Sequence, residues 1–522
     1  MNIVSLLEKT ADALGGRSAI GSRDCGFTYH RLWKDAALLA RHIQDYKSKY
    51  LLVCDENSRA LTVALFAAAW AGVAYVPLNY RLTNRELCSL VADTTPALAL
   101  VGANHKDRLN LGENPQKLLM MKRSEVLNIA GDNCSSVEME GWSIDPEMAA
   151  VLIHTSGTSG TPKSVLLRHK HLVAYVTGTK EFASASNDEV HVLAVPPYHV
   201  ASISAQLSQV YEGRRMVMLP QFDAKLWIEL VKTENATHVM LVPTMMSRIV
   251  AALEDRGEQL TSIRSVSYGG GKPHRKTVLR ALELMPNADF FHAYGLTETS
   301  STVAMLDPII HRKALAGDAL ATKRLDSVGH PLPVLEVAIR NRRTNNSASK
   351  TAPASVNDTS ENRIGEIWVR GAHVSGEYRE TGSALDSEGW FHTNDIGYFD
   401  RDGYLYLLGR SDDMIIRGGV NVSPTEIEEI LISHPRITDA AVFGIASPEW
   451  GEEIAAAVVV TPPLPTTEQL QKWAKKRLRS HRTPSRFVFV DKLPYNQTGK
   501  LLRHYLKKRF AAEMKSTLRK PV

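Results

Sequence analysis

The strongest constraint on this chain is an alternation of two hydrophobic periods through its first half. Leu32, Ala36, Leu39 and Ile43 recur at the spacing that 3.6 residues per turn brings to one helix face. A short apolar run follows at Tyr50–Cys54, then a helical stretch at Leu61–Trp70, then a second strand candidate, Val73–Leu78, ended by Pro77. Strand and helix in turn predict an α/β domain with mostly parallel strands. No segment repeats at a fixed period. The 522 residues suffice for three or four units at about 150 residues each. With 44% hydrophobic and 23% charged residues, a sizeable core can be buried.

No apolar run reaches the ~18 residues that a membrane-spanning helix needs, so no transmembrane segment is expected. The N-terminus, Met1 to Gly16, contains Glu8 and Asp12 and lacks the basic-then-apolar order of a signal peptide. A cytoplasmic protein is expected. Cys25, Cys54, Cys88 and Cys134 are scattered without C-x-x-C spacing, which argues against a disulfide framework or a cysteine metal site. The net charge is only +6, yet Gln471 to Val522 holds sixteen Lys or Arg against Asp491 and Glu513. A basic end implies either a solvated face or an anionic partner such as a phosphate-rich cofactor. A nucleic acid is not expected, because the basic tail comes with no Walker pair or aromatic RNA motif.

Residues Asn341 to Asn362 are rich in Ser, Thr, Asn, Ala and Lys without periodicity, and are expected to form a solvated, mobile loop. Beyond them the pattern turns to hairpins: Gly365–Arg370, then Tyr398-Phe399 and Tyr404–Leu408 around a turn at Asp402-Gly403. A second unit begins after Arg410. Ser423-Pro424-Thr425-Glu426 predicts a helix start with a capping box and proline at the first helical position. Strands are predicted at Ala440–Phe443, Ile454–Val460 and Arg486–Val490, with a helix at Thr467–Leu478.

The densest local signal is Thr155-Ser156-Gly157-Thr158-Ser159-Gly160-Thr161-Pro162-Lys163, between strand candidates Ala149–Ile153 and Val165–Leu167. Small residues let backbone N–H groups approach an anion, hydroxyls add donors, and a lysine adds a point charge. A triphosphate needs those groups. The Walker spacing G-x-x-x-x-G-K-[ST] is not met, because Pro162 precedes Lys163. A plain Ser/Gly turn is the other reading of the segment taken alone.

Five further motifs accompany the segment along the chain: Pro197-Tyr198-His199, Tyr294-Gly295-Leu296-Thr297-Glu298, Thr393-Asn394-Asp395, Gly409–Asp413 with Ile415–Gly419, and Pro494–Gly499 with Lys500. In their company the segment resembles the phosphate-loop signature of the adenylate-forming superfamily, and the motifs come in the family's order. That superfamily holds acyl- and aryl-CoA synthetases, luciferases and peptide-synthetase adenylation domains. The resemblance spans nearly the whole chain. It implies an α/β fold with a large N-terminal domain, 1–410, of layered α/β sheets with a small β-barrel-like part. A hinge at 411–412 and a small mobile α+β C-terminal domain, 413–522, complete it.

The resemblance also implies roles. Thr155, Ser156, Gly157, Thr158, Ser159, Gly160 and Lys163 would hold ATP phosphates. Tyr294 would stack on adenine, with Gly269, Gly270, Gly271 and Gly295 admitting the base. Thr297 would bond the α-phosphate, and Glu298 would hold Mg²⁺, a hard cation that prefers oxygen. Asp395 and Arg410 would hold the ribose. Lys500 would neutralise charge as a carboxylate attacks the α-phosphorus. Asp412 matches the hinge, around which the small domain takes one orientation for adenylation and another for thioester formation. Gly418, Gly419, Trp450, Arg482 and Arg486 would meet coenzyme A. Asn394 stands where the family has glycine, and if that turn needs a positive φ, Asn is the least costly substitute. Ser164 also replaces a family glycine.

The implied activity is an ATP-dependent acyl-CoA ligase using ATP, Mg²⁺ and coenzyme A. Amino-acid-activating relatives carry Asp where this chain has His199, and an imidazole cannot replace that carboxylate. An α-amino acid is disfavoured. The pocket candidates His199, Ala201, Ser202, Ser204, Tyr268, His292, Ala293 and Thr302 are mostly small, which predicts a bulky or extended acid: fatty, alicyclic or steroid-like, or aryl. Transfer to a carrier-protein thiol and an inactive adenylate-binding regulator are the alternatives. A homodimer is compatible with the sequence, which does not name the oligomeric state.

Overall fold

Tyr50–Cys54 folds as a strand whose two faces serve two cores. Leu51 and Val53 pack with the helices Tyr29–Asp45 and Arg59–Ala71, while Leu52 and Cys54 pack with Leu87 and Val91 of the opposite layer. A strand covered on both sides reads as a continuous apolar run, which is why its sequence shows no alternation. The computed structural model describes residues 1–522 except 24–25, 110–117, 132–140, 144, 156–162, 341–362, 419, 448, 479, 496–500 and 518–522. The side chains of 130–131, 421, 480 and 511–517 are also outside the description. The expected loop from Asn341 to Asn362 therefore lies outside the described residues.

The chain packs as two compact units: Met1–Glu336 with Val369–Phe391, and Val337–Trp368 with His392–Val522. Among the described residues the first unit holds a nine-stranded and an eight-stranded sheet. In the nine-stranded sheet, Val190–Leu193, His238–Leu241, Ser265–Gly269 and Asp289–Leu296 run parallel. Ser301–Leu306 then returns antiparallel. Layered α/β sheets are thus the observed architecture, as the resemblance implies, and their strands run mostly parallel, as the alternation of periods predicts. No helix among the described residues is long and apolar enough to cross a membrane.

In the second unit, Phe391–Phe399 and Leu405–Arg410 pair as the predicted hairpin, Tyr398 opposite Tyr406, with Gly403 at φ +80° in the turn. Ile437–Ser447 and Gly451–Val460 form a long hairpin that Arg486–Phe489 joins in parallel. The helix Pro424–Ile432 begins at Ser423 with proline at its first position, as predicted, but without a capping box. The Ser423 hydroxyl donates to Leu408 O at 2.6 Å, and Glu426 instead accepts from Arg482. Both partners are distant in sequence, so the local motif did not foretell the competition.

Candidate active site

Lys163 opens the strand Lys163–Arg168, which pairs antiparallel with Ala149–Thr155, Thr155 opposite Lys163 and His154 opposite Ser164. The Thr155 hydroxyl donates to Lys163 O at 3.2 Å. On the other side of the same strand, Glu377–Tyr378 pairs through Tyr378 opposite Val165. That register brings Lys163 Nζ over the Tyr378 ring, 5.2 Å from its centroid. The Tyr378 hydroxyl donates to Glu298 Oε1 at 2.9 Å. One tyrosine thus joins the lysine at the end of the glycine-rich run to the carboxylate of the Tyr294–Glu298 motif. Ser156, Gly157, Thr158, Ser159 and Gly160 lie outside the described residues.

Thr297 and Glu298 sit in the single turn Thr297–Thr299. The Glu298 carbonyl accepts from the backbone N–H groups of Ser375 at 2.9 Å and Gly376 at 3.0 Å. Ser300 and Ser301 follow at φ +56° and +150°, a region that costs a side-chain-bearing residue energy. Ser204 Oγ holds this corner by donating to Ser300 O at 2.9 Å. Strain of this kind persists where surrounding structure over-determines it, and it clusters at functional sites. The register between Asp289–Leu296 and Ser301–Leu306 also shifts between Tyr294 and Gly295, and such bulges re-aim side chains beside active sites. Tyr294 itself is buried. A Cβ on Gly295 would lie 1.7 Å from Ser301 O, and one on Gly269 2.3 Å from Ala293 O. Both positions need glycine for close backbone approach. Gly270 and Gly271 are exposed after them.

Among the described residues no three His, Cys, Asp or Glu side chains cluster as metal ligands. Mg²⁺ usually takes one or two carboxylates and completes its shell with water and substrate phosphates. A single carboxylate, Glu298, fits that requirement.

The expected acyl-pocket residues divide. Tyr268 is 1% exposed and its hydroxyl meets His311 Nε2 at 2.7 Å. His292 stacks on it at 4.7 Å between ring centroids, with Nδ1 3.1 Å from Ser327 O. Ser202 is wholly buried and accepts from Gln206. These three expected pocket residues are buried, and each has a hydrogen-bond partner. Strand residues alternate in direction, and Val266, Tyr268 and Phe290 face the helices Ala224–Glu234, Pro243–Arg256 and Arg275–Leu284. The opposite face carries Ser267 beside Phe291 and Gly269 beside Ala293, all half-buried. Ser267 and Phe291 were not among the expected site residues, although period two along the strands places them on the face of Gly269 and Ala293.

His199 is the N-cap residue of the helix Val200–Glu212, with Ala201 half-buried just inside it. Burial lowers its ring pKa to about 4, so the imidazole is neutral near pH 7. His199 Nε2 is buried without a hydrogen-bond partner among the described residues. Thr302 is half-buried, its Oγ1 3.3 Å from the Tyr175 hydroxyl.

In the second unit Asn394 takes φ +60°, so the turn does need the positive φ that the sequence left as a condition. Asp395 N donates to Thr393 Oγ1 at 3.1 Å, and Asp395 pairs across the hairpin with Arg410, 3.5 Å between Oδ1 and Nη1. Asp412 lies in the turn Ser411–Asp413. Gly418, at φ +57°, donates to Trp450 O at 2.8 Å, and Arg417 lies over the Trp450 ring. Arg482 is held by both Glu426 oxygens at 2.5 and 2.6 Å, and Arg486 lies 3.8 Å from Glu453. Neither is a bare cation, which weakens their assignment to coenzyme A.

Gly419 and Lys500 lie outside the described residues. Tyr495 pairs with Leu501, and Leu502 N donates to Pro494 O at 2.8 Å. The Tyr495 hydroxyl donates to Asp439 at 2.9 Å. Arg503, three residues beyond Lys500, donates to both Glu428 oxygens at 2.7–2.8 Å in a buried pair.

Comparison with known proteins accords with this geometry. The profile of the family described as AMP-binding enzyme matches residues 7–379, and that of the AMP-binding enzyme C-terminal domain matches residues 426–500. A 2-succinylbenzoate–CoA ligase of Bacillus licheniformis is 30% identical over 96% of this chain and 98% of its own. The o-succinylbenzoate CoA synthetase of Bacillus subtilis, solved with the acyl-adenylate intermediate OSB-AMP, superposes with a TM-score of 0.80. It is 26% identical over 96% of this chain and 97% of its own. Solved with ATP and magnesium ion, the same enzyme gives a TM-score of 0.77 at 26% identity, over 96% of this chain and 99% of its own.

Proposed function

On the premise that this chain belongs to the AMP-binding enzymes of the adenylate-forming superfamily, we propose that the acid it activates is a substituted aromatic carboxylic acid. The enzyme is an AMP-forming acid–thiol ligase that uses ATP, Mg²⁺ and coenzyme A. A carboxylate oxygen of the substrate bonds to the α-phosphorus of ATP as the bond from that phosphorus to the bridging oxygen breaks, releasing pyrophosphate. The coenzyme A sulfur, having lost its proton, then bonds to the acyl carbon, and AMP leaves.

In this reading Lys163 neutralises phosphate charge and Glu298 would hold Mg²⁺, which would supply further charge neutralisation to the triphosphate. Thr297 bonds the α-phosphate and Tyr294 meets adenine. Asp395 takes the ribose hydroxyls, oriented by Arg410. Lys500 meets the charge that builds as two anions approach. Trp450, 43% exposed, is the group assigned to the adenine of coenzyme A.

The observation that carries the substrate class is the half-buried strand face at Ser267, Gly269, Phe291 and Ala293. Glycine and alanine side by side next to a phenylalanine leave a flat, weakly polar surface suited to a planar ring. A neutral His199 offers no anion for a substrate ammonium. The relatives' names specify a succinyl-substituted benzoate, whereas the fatty and steroid-like acids that the sequence admits gain no support from them. A panel of substituted benzoates, fatty acids and amino acids, scored by pyrophosphate release with coenzyme A present, tests the proposal. Highest kcat/KM on a benzoate bearing an acidic side chain is expected; preference for a fatty or amino acid would contradict it.

A further inference from the structure

Tyr378 lies outside the six motifs quoted above, yet it touches both groups assigned to the magnesium–triphosphate unit. Its hydroxyl donates to Glu298 Oε1 at 2.9 Å and its ring face lies 5.2 Å from Lys163 Nζ. We propose that Tyr378 is a positioning residue that holds the Glu298 carboxylate and the Lys163 ammonium apart and correctly aimed for the magnesium–triphosphate unit. The proposal rests on the reading that Lys163 meets phosphate and Glu298 meets Mg²⁺.

The geometry around Tyr378 is over-determined. Ser375 and Gly376 donate backbone N–H groups to the Glu298 carbonyl. On the far side of Tyr378, Arg379 N donates to Ser164 O at 2.9 Å, and Ser164 N donates to Glu380 Oε2 at 3.1 Å. Arg168 closes on Glu377 at 2.6 Å. The segment Ser375–Glu380 is therefore tied to Glu298 at one end and to the residue after Lys163 at the other. Ser164 adds a side-chain anchor that glycine would lack, its Oγ 3.1 Å from His154 Nδ1.

Two physical effects result. A phenol hydroxyl on one carboxylate oxygen fixes the rotamer and leaves the other oxygen to aim at a ligand; partners one step out from a metal commonly change its affinity 10–100-fold. The ring face attracts the ammonium within the ~6 Å range of a cation–π contact, so the lysine is held without neutralising the carboxylate. Among the described residues Lys163 forms no ion pair with Glu298. Without the ring the two opposite charges are free to close on each other, and bound nucleotide must then separate them.

Calorimetric titration of ATP into the full-length protein across a range of Mg²⁺ concentrations tests this, with wild type, Tyr378→Phe and Tyr378→Leu compared. Tyr378→Phe is expected to raise the half-saturating Mg²⁺ concentration about tenfold while changing ATP affinity without Mg²⁺ by less than about twofold. Tyr378→Leu is expected to weaken ATP binding without Mg²⁺ as well, by about threefold or more. Thioester formation from pre-made acyl-adenylate, which involves no triphosphate, should be unchanged in both. A Tyr378→Phe titration that overlays wild type would overturn the proposal. So would a loss of thioester formation in proportion to ATP binding, the mark of a merely structural role. If wild type itself binds ATP no better with Mg²⁺ than without, the assignment of Glu298 fails first, and the two failures are thereby distinguished.

Discussion

Asn394 shows at a single residue how far sequence reaches. The family has glycine there, and the φ of +60° explains why asparagine is tolerated: its short polar side chain accepts the left-handed region at modest cost. Asn394→Ala should lose about 1–2 kcal/mol of stability by denaturant unfolding, and Asn394→Gly should not. Because Asp395 is the next residue, the alanine variant should also raise the KM for ATP; equal stability of all three proteins would contradict the backbone explanation. His199 was legible in part. The missing carboxylate could be seen in the sequence, but the neutrality of the ring could not, because it comes from burial by residues distant in the chain.

Among the elements, the strand Ser265–Gly269 bears most directly on which side chains meet the acid. Period two divides a strand into two faces without saying which face the helices cover. The family resemblance suggests Tyr268 and His292 for the pocket; the helices cover that face, and Ser267, Gly269, Phe291 and Ala293 stand on the other. Ser267→Leu should therefore raise the KM for the acid by about tenfold or more, the scale of a lost fit in a pocket, with the KM for ATP unchanged. Tyr268→Phe should leave both constants unchanged and cost about 1 kcal/mol through the lost contact with His311. The reverse pattern in steady-state kinetics would favour the face of Tyr268 and His292 instead.

The helix Arg503–Thr517 hides a second such case. Its salt bridge to Glu428 is buried, and burial raises the Glu428 carboxyl pKa despite the opposing pull of Arg503. Arg503→Met leaves that carboxylate unpaired and should destabilise the second unit by about 3–5 kcal/mol in urea unfolding. A counted run of sixteen cations concealed this one, because charge alone does not separate a solvated lysine from a buried arginine.

Across the whole molecule, the fold class, most element positions and the order of motifs were legible, since each depends on local period or local spacing. The buried histidines were not. His154, His169, His171, His199, His238, His292, His311 and His373 all have pKa values lowered to about 4, chiefly by burial. All eight belong to the first unit. Unfolded, each takes up a proton near pH 6.5. Below that value the unfolded chain binds more protons than the folded one, so stability is intact above about 6.5 and falls as pH drops toward 4. Scanning calorimetry between pH 7.5 and 5 should show the melting of the first unit shift to lower temperature, and a constant midpoint would contradict the burial of these rings.

At its core the molecule is read as a ligase that works in two chemical steps, with Lys500 serving the first. Those steps come apart in Lys500→Ala when acid-dependent pyrophosphate release is measured beside thioester formation from pre-made acyl-adenylate and coenzyme A. Pyrophosphate release should fall by at least about 100-fold, the scale of a lost transition-state charge partner, while thioester formation stays near the wild-type rate. Equal loss of both steps, or retention of both, would contradict the two-step assignment.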